Sequence, residues 1–409
     1  MTEGRFPSSQ AWLRRAQCVI PGAHHLSGRV LTTPERSPMY IERGFGCRIT
    51  DVDGHEYIDY LMAFGAFLLG YADPEVDAAA REELERGSLL SMNRPQHVLF
   101  AEALVAQFDA ADMAVVLKTG SEATTAALRI ARRATGRRRV ARAGYHGWHD
   151  WCLPLENSVP AGLDAQVLEF NANDPHSLEA LFSVFPGEIS GVILAPEMVL
   201  PPTRERFQAL QDLTHRHGAL FILDEVKTAF RTAPGSVQAR FELKPDLTTV
   251  SKGLSNGWPI AAVVGRRDVM NSAAGMHLSG TFHGDTAAMA AALTTLRIVR
   301  ERDVAGHVWA LGQRLIDGLN TIVREFDVPA LSYGEPFPPM PFLRFDHPDS
   351  QVNDAMRTVF YEAMLERGVL LHPRHMWFIS HAHQRDDIDT TLEHARSAMR
   401  IASQHCRAT

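Results

Sequence analysis

The sequence is poor in several features that mark particular classes of protein. It has only four cysteines among 409 residues, and no two of them form a CxxC pair, which argues against a disulfide scaffold or a zinc ribbon. Basic residues do not exceed acidic ones, since 41 lysines and arginines stand against 48 aspartates and glutamates. A nucleic-acid-binding face is therefore not expected. The apolar runs are far shorter than the roughly 20 residues that a membrane span needs.

The sequence also shows no sign of a targeting segment or of internal repeats. The N-terminus lacks the charged-then-apolar sequence of a signal peptide, and there is no low-complexity tract or short-period repeat. We therefore expect a soluble, cytoplasmic globular protein with no membrane or nucleic-acid partner. At roughly 100–200 residues per domain, the length predicts two or three domains.

The central part of the chain alternates apolar and helical segments. Continuous apolar runs occur at residues 115–117, 191–194, 220–223, 247–250 and 260–264. Runs of this length are typical of strands that helices cover on both faces. Helical segments such as residues 205–217 lie between them. The pattern predicts an α/β domain with a mostly parallel sheet over residues 56–305.

The two ends of the chain have a different pattern. Ser8 and Ser9 are expected to cap an opening helix, and residues 39–58 alternate like a hairpin that turns at Asp53-Gly54. Near the other end, a helical stretch at residues 308–325 leads into a segment rich in proline and glycine. We predict a smaller α+β domain over residues 306–409, with residues 1–55 packing with it.

Three predicted strand ends carry the candidate chemistry, and the first is the segment before a predicted helix. Gly120 and Ser121 follow the apolar run 115–117 and open that helix. Glycine lets a ligand approach the backbone, and the N–H groups and dipole of a helix N-terminus favour an anion such as a phosphate. An ordinary helix cap is the alternative interpretation.

The other two strand ends carry acidic and basic groups. Asp224 and Glu225 end the run 220–223, where a buried carboxylate needs a partner such as a protonated ring nitrogen; a helix cap, an ion pair or a magnesium ligand are the alternatives. Lys252 follows the run 247–250, where burial lowers a lysine pKa and favours Schiff-base chemistry. An exposed lysine is the alternative there. Together these groups are what pyridoxal 5′-phosphate (PLP) requires.

These motifs resemble those of the class-III, fold-type I PLP-dependent aminotransferases, and most of all the glutamate-1-semialdehyde 2,1-aminomutase branch. Residues 224–231, DEVKTAFR, resemble the DEVMTGFR-type segment of that branch, and residues 251–259 resemble its lysine loop. Residues 19–22 and 51–54 match as well, so the resemblance covers nearly the whole chain. It implies a fold-type I architecture: a mostly parallel, seven-stranded sheet between helices, and a smaller α+β domain built from both chain ends.

The resemblance also implies roles for individual residues. Lys252 would form the internal aldimine with PLP and carry protons, and Asp224 would keep the pyridine nitrogen protonated. The other implied cofactor-binding residues are Gly120 and Ser121 at the phosphate, Val226 and Tyr145 on the two ring faces, His146 beside Tyr145, and Thr281. Thr281 would reach the phosphate of a neighbouring subunit, which implies a homodimer. No metal is expected.

The substrate side departs from the family pattern. The resemblance assigns Arg29 to a substrate carboxylate and Phe64 to an aromatic wall. Residues 372–377, which include Arg374 and Trp377, replace a family stretch that ends in Phe-Glu, and they favour an aromatic or more anionic substrate. Glu197 lies two positions from the acid of the usual Glu-Pro-Val segment. The histidines in this region do not have a metal-ligand spacing; they are His372, His375, His381 and His383.

The leading hypothesis is therefore an aminotransferase. It would move an amino group from a carboxylate-bearing amine to a keto acid or aldehyde through Lys252. An aminomutase, which shifts the amine within one molecule, is the first alternative. A racemase or epimerase could use the same residues, and a PLP-fold protein without catalytic activity is the remaining possibility.

Overall fold

The computed structural model describes residues 5–23, 39–152 and 166–407. The chain divides into two compact units. The first contains residues 1–65, 70–73 and 308–409, and the second contains residues 66–69 and 74–307. The sequence-based boundaries at residues 55/56 and 305/306 stay a prediction.

The strands of the described chain, numbered in order, are β1 (Ile41–Phe45), β2 (Arg48–Asp51), β3 (Glu56–Asp59), β4 (Met113–Leu117), β5 (Arg139–Ala143), β6 (Val167–Glu169), β7 (Ile189–Leu194), β8 (Leu220–Asp224), β9 (Leu247–Val250), β10 (Ala261–Gly265), β11 (Ala330–Gly334), β12 (Pro341–Phe345) and β13 (Val369–Leu370). The helices are α1 (Pro7–Gln17), α2 (Met62–Gly65), α3 (Pro74–Glu85), α4 (Pro95–Val105), α5 (Gly120–Thr135), α6 (Pro175–Val184), α7 (Arg204–Arg216), α8 (Ser236–Arg240), α9 (Arg267–Met270), α10 (Thr286–Glu301), α11 (Val304–Phe326), α12 (Ser350–Glu366) and α13 (Arg385–Arg407).

The second unit is built on a seven-stranded sheet with the order β4-β10-β9-β8-β7-β5-β6. β10 runs antiparallel to both of its neighbours, and the other pairs are parallel. Every residue of β7 and of β10 is buried, because helices and loops cover both faces of the sheet. The predicted α/β architecture with a mostly parallel, seven-stranded sheet is confirmed.

Helix α5 forms much of the core on the sheet. It buries alanines and branched residues at helical spacing, including Ala123, Ala127 and Ile130, and these pack with Ile193 of β7 and Ile222 of β8. Small side chains on this face let the helix approach the sheet closely. The helix begins at the end of β4, so its first turn lies beside the edge of the sheet where strands β5, β7, β8 and β9 also end.

The first unit joins the two ends of the chain in a four-stranded sheet with the order β1-β2-β3-β13. β1, β2 and β3 pair antiparallel, as the hairpin pattern predicts, and β13 pairs parallel with β3. The turn between β2 and β3 is stabilised by Asp51, whose carboxylate accepts hydrogen bonds from the backbone of Asp53 and His55. β11 and β12 form a separate hairpin.

The opening helix is present, but its predicted cap is wrong. α1 begins at Pro7, and Phe6 precedes it with no side-chain cap. The backbone N–H groups of Ser8 and Ser9 donate instead to Asp53, at 2.6 and 3.0 Å. An acidic side chain from the β2–β3 turn therefore satisfies the helix N-terminus, which local sequence cannot reveal.

A search of the described helices for segments with the length and hydropathy needed to cross a membrane finds none.

Candidate active site

The candidate site lies in the second unit, where adjacent strands end at one edge of the sheet. Asp224 is the last residue of β8, and Lys252 follows β9, the neighbouring parallel strand. Tyr145 and His146 follow β5, and Gly120 and Ser121 follow β4. Because the carboxyl ends of these strands share one edge, groups that lie more than 100 residues apart in sequence meet there.

Asp224 is buried and held by three donors. His146 Nδ1 lies 2.7 Å from Oδ2, while the Thr249 hydroxyl and the Val226 N–H donate to Oδ1 at 2.8 and 3.1 Å. Burial alone raises the pKa of the Asp224 carboxyl, but these donors, above all His146, bring it below its ordinary value. Asp224 is therefore a carboxylate that stays ionised inside the protein.

His146 has one ring nitrogen committed and one available. Its Nδ1 contacts Asp224, and its ring stacks on Trp151 with centroids 6.0 Å apart. Nε2 is buried and has no hydrogen-bond partner among the described residues. The sequence predicts His146 beside Tyr145 but does not reveal its pairing with Asp224, since 78 positions separate the two residues.

The first turn of α5 has a cap that leaves Ser121 available. Thr119 and Glu122 form a reciprocal capping box, so the cap is Thr119 and not Ser121. The Ser121 hydroxyl oxygen accepts a hydrogen bond from the Trp148 N–H at 3.3 Å, and Thr124 donates to the His146 carbonyl at 2.7 Å. The loop that carries Tyr145 and His146 is thereby fixed to the N-terminus of α5.

Two glycines permit this close packing. Gly147 has φ +113°, and a Cβ there would lie 2.3 Å from Ser121 Oγ. A Cβ on Gly120 would lie 2.8 Å from a Val226 methyl group, so Gly120 and Val226 are neighbours. The two glycines therefore let a backbone turn and a helix N-terminus meet in close contact.

Lys252 has a strained backbone conformation, and several charged side chains act on its amine. Its φ is +47°, in the left-handed region that non-glycine residues rarely adopt. Burial, together with the positive charges of Lys227 and Arg231, lowers the pKa of its amine to about 7, although Glu197 and Asp224 oppose the shift. A large fraction of Lys252 is therefore a neutral nucleophile near pH 7.

Tyr145, unlike its neighbours, keeps an accessible face. Its side chain is 52% exposed, and the Lys227 ammonium lies 5.7 Å from the ring centroid. Lys227 in turn pairs with Glu197. The sequence gives no sign of this pair beyond the displaced acid at position 197.

Glu225 has a structural role that its neighbour does not share. Its carboxylate accepts hydrogen bonds from the backbone of Val237 and Gln238 in the first turn of α8, at 2.9 and 3.2 Å. Full burial raises its pKa to about 7 in spite of these donors. Glu225 therefore caps a helix, which was one of the alternatives for the two acidic residues, whereas Asp224 contacts His146.

Thr281 lies on the surface of the second unit, in a 3-10 turn over residues 281–284. Its side chain is exposed, and so is that of the next residue, Phe282, at 65%. The turn is anchored to the first turn of α4, because His97 Nε2 lies 3.2 Å from the Gly284 carbonyl.

The predicted substrate residues belong to the first unit, where they are described. Phe64 lies in the left-handed turn α2 with φ +59°, which Asp59 holds by accepting from the Leu61 N–H at 2.7 Å. The rings of His372 and His375 lie 6.2 and 5.1 Å from the Phe64 ring.

The remaining predicted substrate residues differ in exposure. Arg374 is exposed. Trp377 is fully buried, and its indole N–H donates to the His372 carbonyl at 2.9 Å, so the structure places it in the core of the first unit. Its assignment to the substrate stays a prediction. Arg29 lies outside the described residues.

The groups at the strand ends of the second unit fit PLP. A neutral lysine amine suits an aldehyde, a buried carboxylate paired with histidine suits a pyridinium nitrogen, and a glycine–serine helix N-terminus suits a phosphate. The buried Nε2 of His146, which has no hydrogen-bond partner among the described residues, agrees with a ligand at this edge of the sheet.

Comparison with known proteins identifies the family. The model of the family described as Aminotransferase class-III matches residues 32–382. A 3-aminobutyryl-CoA aminotransferase from Cloacimonas acidaminovorans is 31% identical over 96% of this chain and 93% of its own length. A glutamate-1-semialdehyde 2,1-aminomutase from Chloroflexus aggregans is 35% identical over 95% and 96%.

A solved structure agrees with the sequence relatives. The FumI protein of Sphingopyxis sp. MTA144, solved in its PLP internal aldimine form, superposes with a TM-score of 0.90 at 31% identity, covering 96% of this chain and 95% of its own. The resemblance read from the sequence motifs is confirmed, and so is PLP as the cofactor. The chain belongs to the class-III aminotransferase family of PLP-dependent enzymes.

Proposed function

We propose that the protein transfers an amino group from a carboxylate-bearing amine to the carbonyl of a second molecule, a keto acid or an aldehyde. The observation that carries this proposal is the placement of Lys252, the Asp224–His146 pair and Ser121 after strands that end at the same edge of one sheet. Bound PLP supplies an aldehyde that takes up the amino group and a ring that accepts electrons from the reacting carbon.

Lys252 carries the proton in this mechanism. With a pKa of about 7, its Nζ is present in both protonation states near neutral pH. It can take a proton from the carbon that bears the amine and return one to another position. The strained backbone at Lys252 fixes where Nζ can reach, because the left-handed conformation is held by its neighbours.

Asp224 holds a proton at the ring nitrogen of the cofactor. Its carboxylate stays ionised inside the protein because His146, Thr249 and the Val226 N–H stabilise the charge. A charge-assisted hydrogen bond from a protonated ring nitrogen to such an anion contributes about 1.5–3 kcal/mol. His146 orients the carboxylate, since its Nδ1 fixes one of the two oxygens.

The remaining residues bind the cofactor and exclude water. The Ser121 hydroxyl and the N–H groups of the first turn of α5 bind the phosphate. Val226, which packs beside Gly120, and Tyr145, with its accessible face, cover the two faces of the ring.

We infer that a second copy of the chain completes the site with Thr281. The support is the exposure of large apolar side chains on the surface of the second unit: Phe282, Met92 and Val98 are 65%, 81% and 59% exposed. Such a surface is typical of a contact between subunits. We also infer a cytoplasmic location, because three described cysteines are unpaired and the composition is not that of a secreted disulfide protein.

On the substrate side, we infer that Arg29 and Arg374 bind carboxylates, that Phe64 forms an aromatic wall, and that Trp377 contributes to a preference for an aromatic substrate. Arginine suits this task because its planar fork matches a carboxylate. The exposure of Arg374 and the ring contacts of Phe64 support these roles.

The aminomutase activity is the second candidate, because relatives with that name reach 35% identity over nearly the whole chain. The two reactions differ in whether an external acceptor is needed. The relative named 3-aminobutyryl-CoA aminotransferase adds a second question, namely whether the amine lies on carbon 2 or on carbon 3.

One spectroscopic experiment tests the proposal. The holoenzyme is mixed with 2-aminobutyrate or 3-aminobutyrate as matched donors, and the absorbance of the lysine-bound cofactor is followed before and after addition of pyruvate. A transaminase loses this absorbance with the donor alone and regains it with pyruvate. Conversion of glutamate 1-semialdehyde without any acceptor, and no response to either donor, would overturn the proposal in favour of the aminomutase.

A further inference from the structure

Lysine is rare in this chain, and two lysines lie at one site. The sequence has only four lysines, Lys118, Lys227, Lys244 and Lys252, but 37 arginines. Lys227 follows β8 by three residues, and Lys252 follows the neighbouring strand β9. Since the two strands are parallel, both lysines leave the same edge of the sheet. The chemistry proposed above uses only Lys252.

Lys227 is held by an acidic residue from the turn that follows a third strand. Glu197 lies in the 3-10 turn that follows β7, the parallel neighbour of β8, and its carboxylate contacts the Lys227 ammonium. The side chains are only 8% and 14% exposed. A buried pair of this kind fixes the position of both charges, because neither can leave without losing its compensation.

The same ammonium lies beside one residue of the candidate site and acts electrostatically on another. It lies 5.7 Å from the centroid of the Tyr145 ring, within the range of a cation–π contact. Its positive charge also acts on Lys252, where it opposes a second positive charge. The charged groups that act on Lys252 are Lys227 and Arg231, which disfavour its protonation, and Glu197 and Asp224, which favour it.

We propose that Lys227, anchored by Glu197, is a positioning residue that keeps the neighbouring Lys252 amine in its proton-free, nucleophilic form and holds the Tyr145 ring in place. Arg231 also disfavours the proton on Lys252, but it is fully buried within the core, whereas the Lys227–Glu197 pair lies beside Tyr145. In this proposal, the function of Glu197 is to hold the ammonium group of Lys227 that acts on Lys252. This inference rests on the role of Lys252 in the proposed function, and it does not depend on the substrate.

The test measures the protonation of Lys252 in the full chain freed of cofactor. Trace acetic anhydride is added at a series of pH values, and mass spectrometry follows acetylation of the peptide that contains Lys252. Only a neutral amine reacts, so the rate reports the proton-free fraction. Because the chain has four lysines, the exposed Lys244 serves as an internal reference.

The variants separate a charge effect from a structural one. Removal of a neighbouring charge typically moves a pKa by about one unit or more, so Lys227→Met is expected to raise the pH midpoint for Lys252 and to slow its acetylation at pH 6 about 10-fold. Lys227→Arg keeps the charge and is expected to restore the wild-type midpoint. Lys244→Met, a matched loss of a lysine, is expected to leave the midpoint for Lys252 unchanged, with an added lysine-containing peptide as the reference in that variant.

A double variant covers the case in which the single one does not fold. Lys227→Met leaves Glu197 buried without its partner, but Lys227→Met/Glu197→Gln removes both charges. Its midpoint for Lys252 is expected to lie between those of the wild type and Lys227→Met, because Lys227 acts on Lys252 more strongly than Glu197 does. An unchanged midpoint in folded Lys227→Met, or in the double variant, overturns the inference.

A second readout distinguishes this failure from failure of the proposed function. The rate at which PLP attaches to the cofactor-free chain is measured at pH 6 by absorbance. Slower attachment in Lys227→Met, with normal attachment in Lys227→Arg, supports the inference. Normal attachment in Lys252→Ala would refute the proposed function itself, since PLP would then be bound through another group.

Discussion

Replacing Gly147 with alanine tests whether the loop after β5 and the first turn of α5 form one phosphate-binding unit. Gly147 has φ +113°, and an added Cβ would lie 2.3 Å from Ser121 Oγ and 2.9 Å from Ser121 Cα. The second distance involves backbone, so a side-chain rotation alone cannot relieve the contact. Either the loop or the N-terminus of α5 has to move.

The size of the effect follows from three contributions. A non-glycine residue at positive φ costs about 1–2 kcal/mol, and an extra methyl group in a packed region costs about 1–3 kcal/mol. Displacement of the Ser121 hydroxyl also removes a hydrogen bond to a charged phosphate, worth about 1.5–3 kcal/mol. The last contribution alone weakens PLP binding by roughly 10- to 150-fold.

Gly136 provides the matched control. It follows the last turn of the same helix with φ +70°, and a Cβ there would meet nothing within 4 Å. Gly136→Ala is expected to lower the stability by the backbone contribution only, about 1 kcal/mol, and to leave PLP binding unchanged.

The assay is a titration of PLP into each cofactor-free variant, with thermal unfolding measured in parallel. Gly147→Ala should bind PLP at least 10-fold more weakly than Gly136→Ala and unfold at a lower temperature. Equal PLP affinities in the two variants would show that the Gly147 loop and Ser121 do not act together, and the phosphate assignment would then be refuted.

Three further predictions concern charge. Asp224→Asn removes the anion beside His146 and is expected to lower the rate of the donor half-reaction by about 100-fold, measured by stopped-flow absorbance; an unchanged rate contradicts its role. Because the pKa of Lys252 is lowered in the folded state, the unfolded state binds more protons between about pH 10 and pH 7, and the wild type loses stability as the pH falls through this range. The melting temperature of cofactor-free Lys252→Met should therefore rise relative to that of the wild type over this range, and the difference should stay constant at lower pH. A constant difference contradicts the burial of Lys252. Arg374→Ala should raise the KM for a carboxylate donor about 10-fold with kcat little changed, and an unchanged KM removes Arg374 from the substrate site.

Most of the strands that the sequence predicts in the second unit are buried on both faces. β7, β8, β9 and β10 read as continuous apolar runs because helices and loops cover both sides of the sheet. β5 cannot be recognised in this way, since its sequence RVARA places arginines in the strand. Arg142 there pairs with Glu169 of β6, an interaction that no local pattern reveals.

The residues of the candidate site are likewise only partly predictable from the sequence. The ends of apolar strands point to Asp224 and Lys252, and the glycine–serine start of α5 points to an anion site. The partners of these groups come from other strands: Thr249 and His146 for Asp224, and Glu197 for Lys227. Such pairs depend on the order of strands in the sheet, which hydrophobic periodicity does not determine.

The pairing of β3 with β13 has a consequence for the synthesis of the chain. Ile58 lies opposite Val369 in this parallel pair, so the first unit cannot complete its sheet until residues 369 and 370 have left the ribosome. At about 5–20 residues per second, the hairpin β1–β3 waits roughly 15–60 seconds for its last strand. The residues of the second unit, 74–307, emerge entirely within that interval. The PLP-binding half can therefore fold first, while the N-terminal strands need protection from pairing with other chains at their exposed edge.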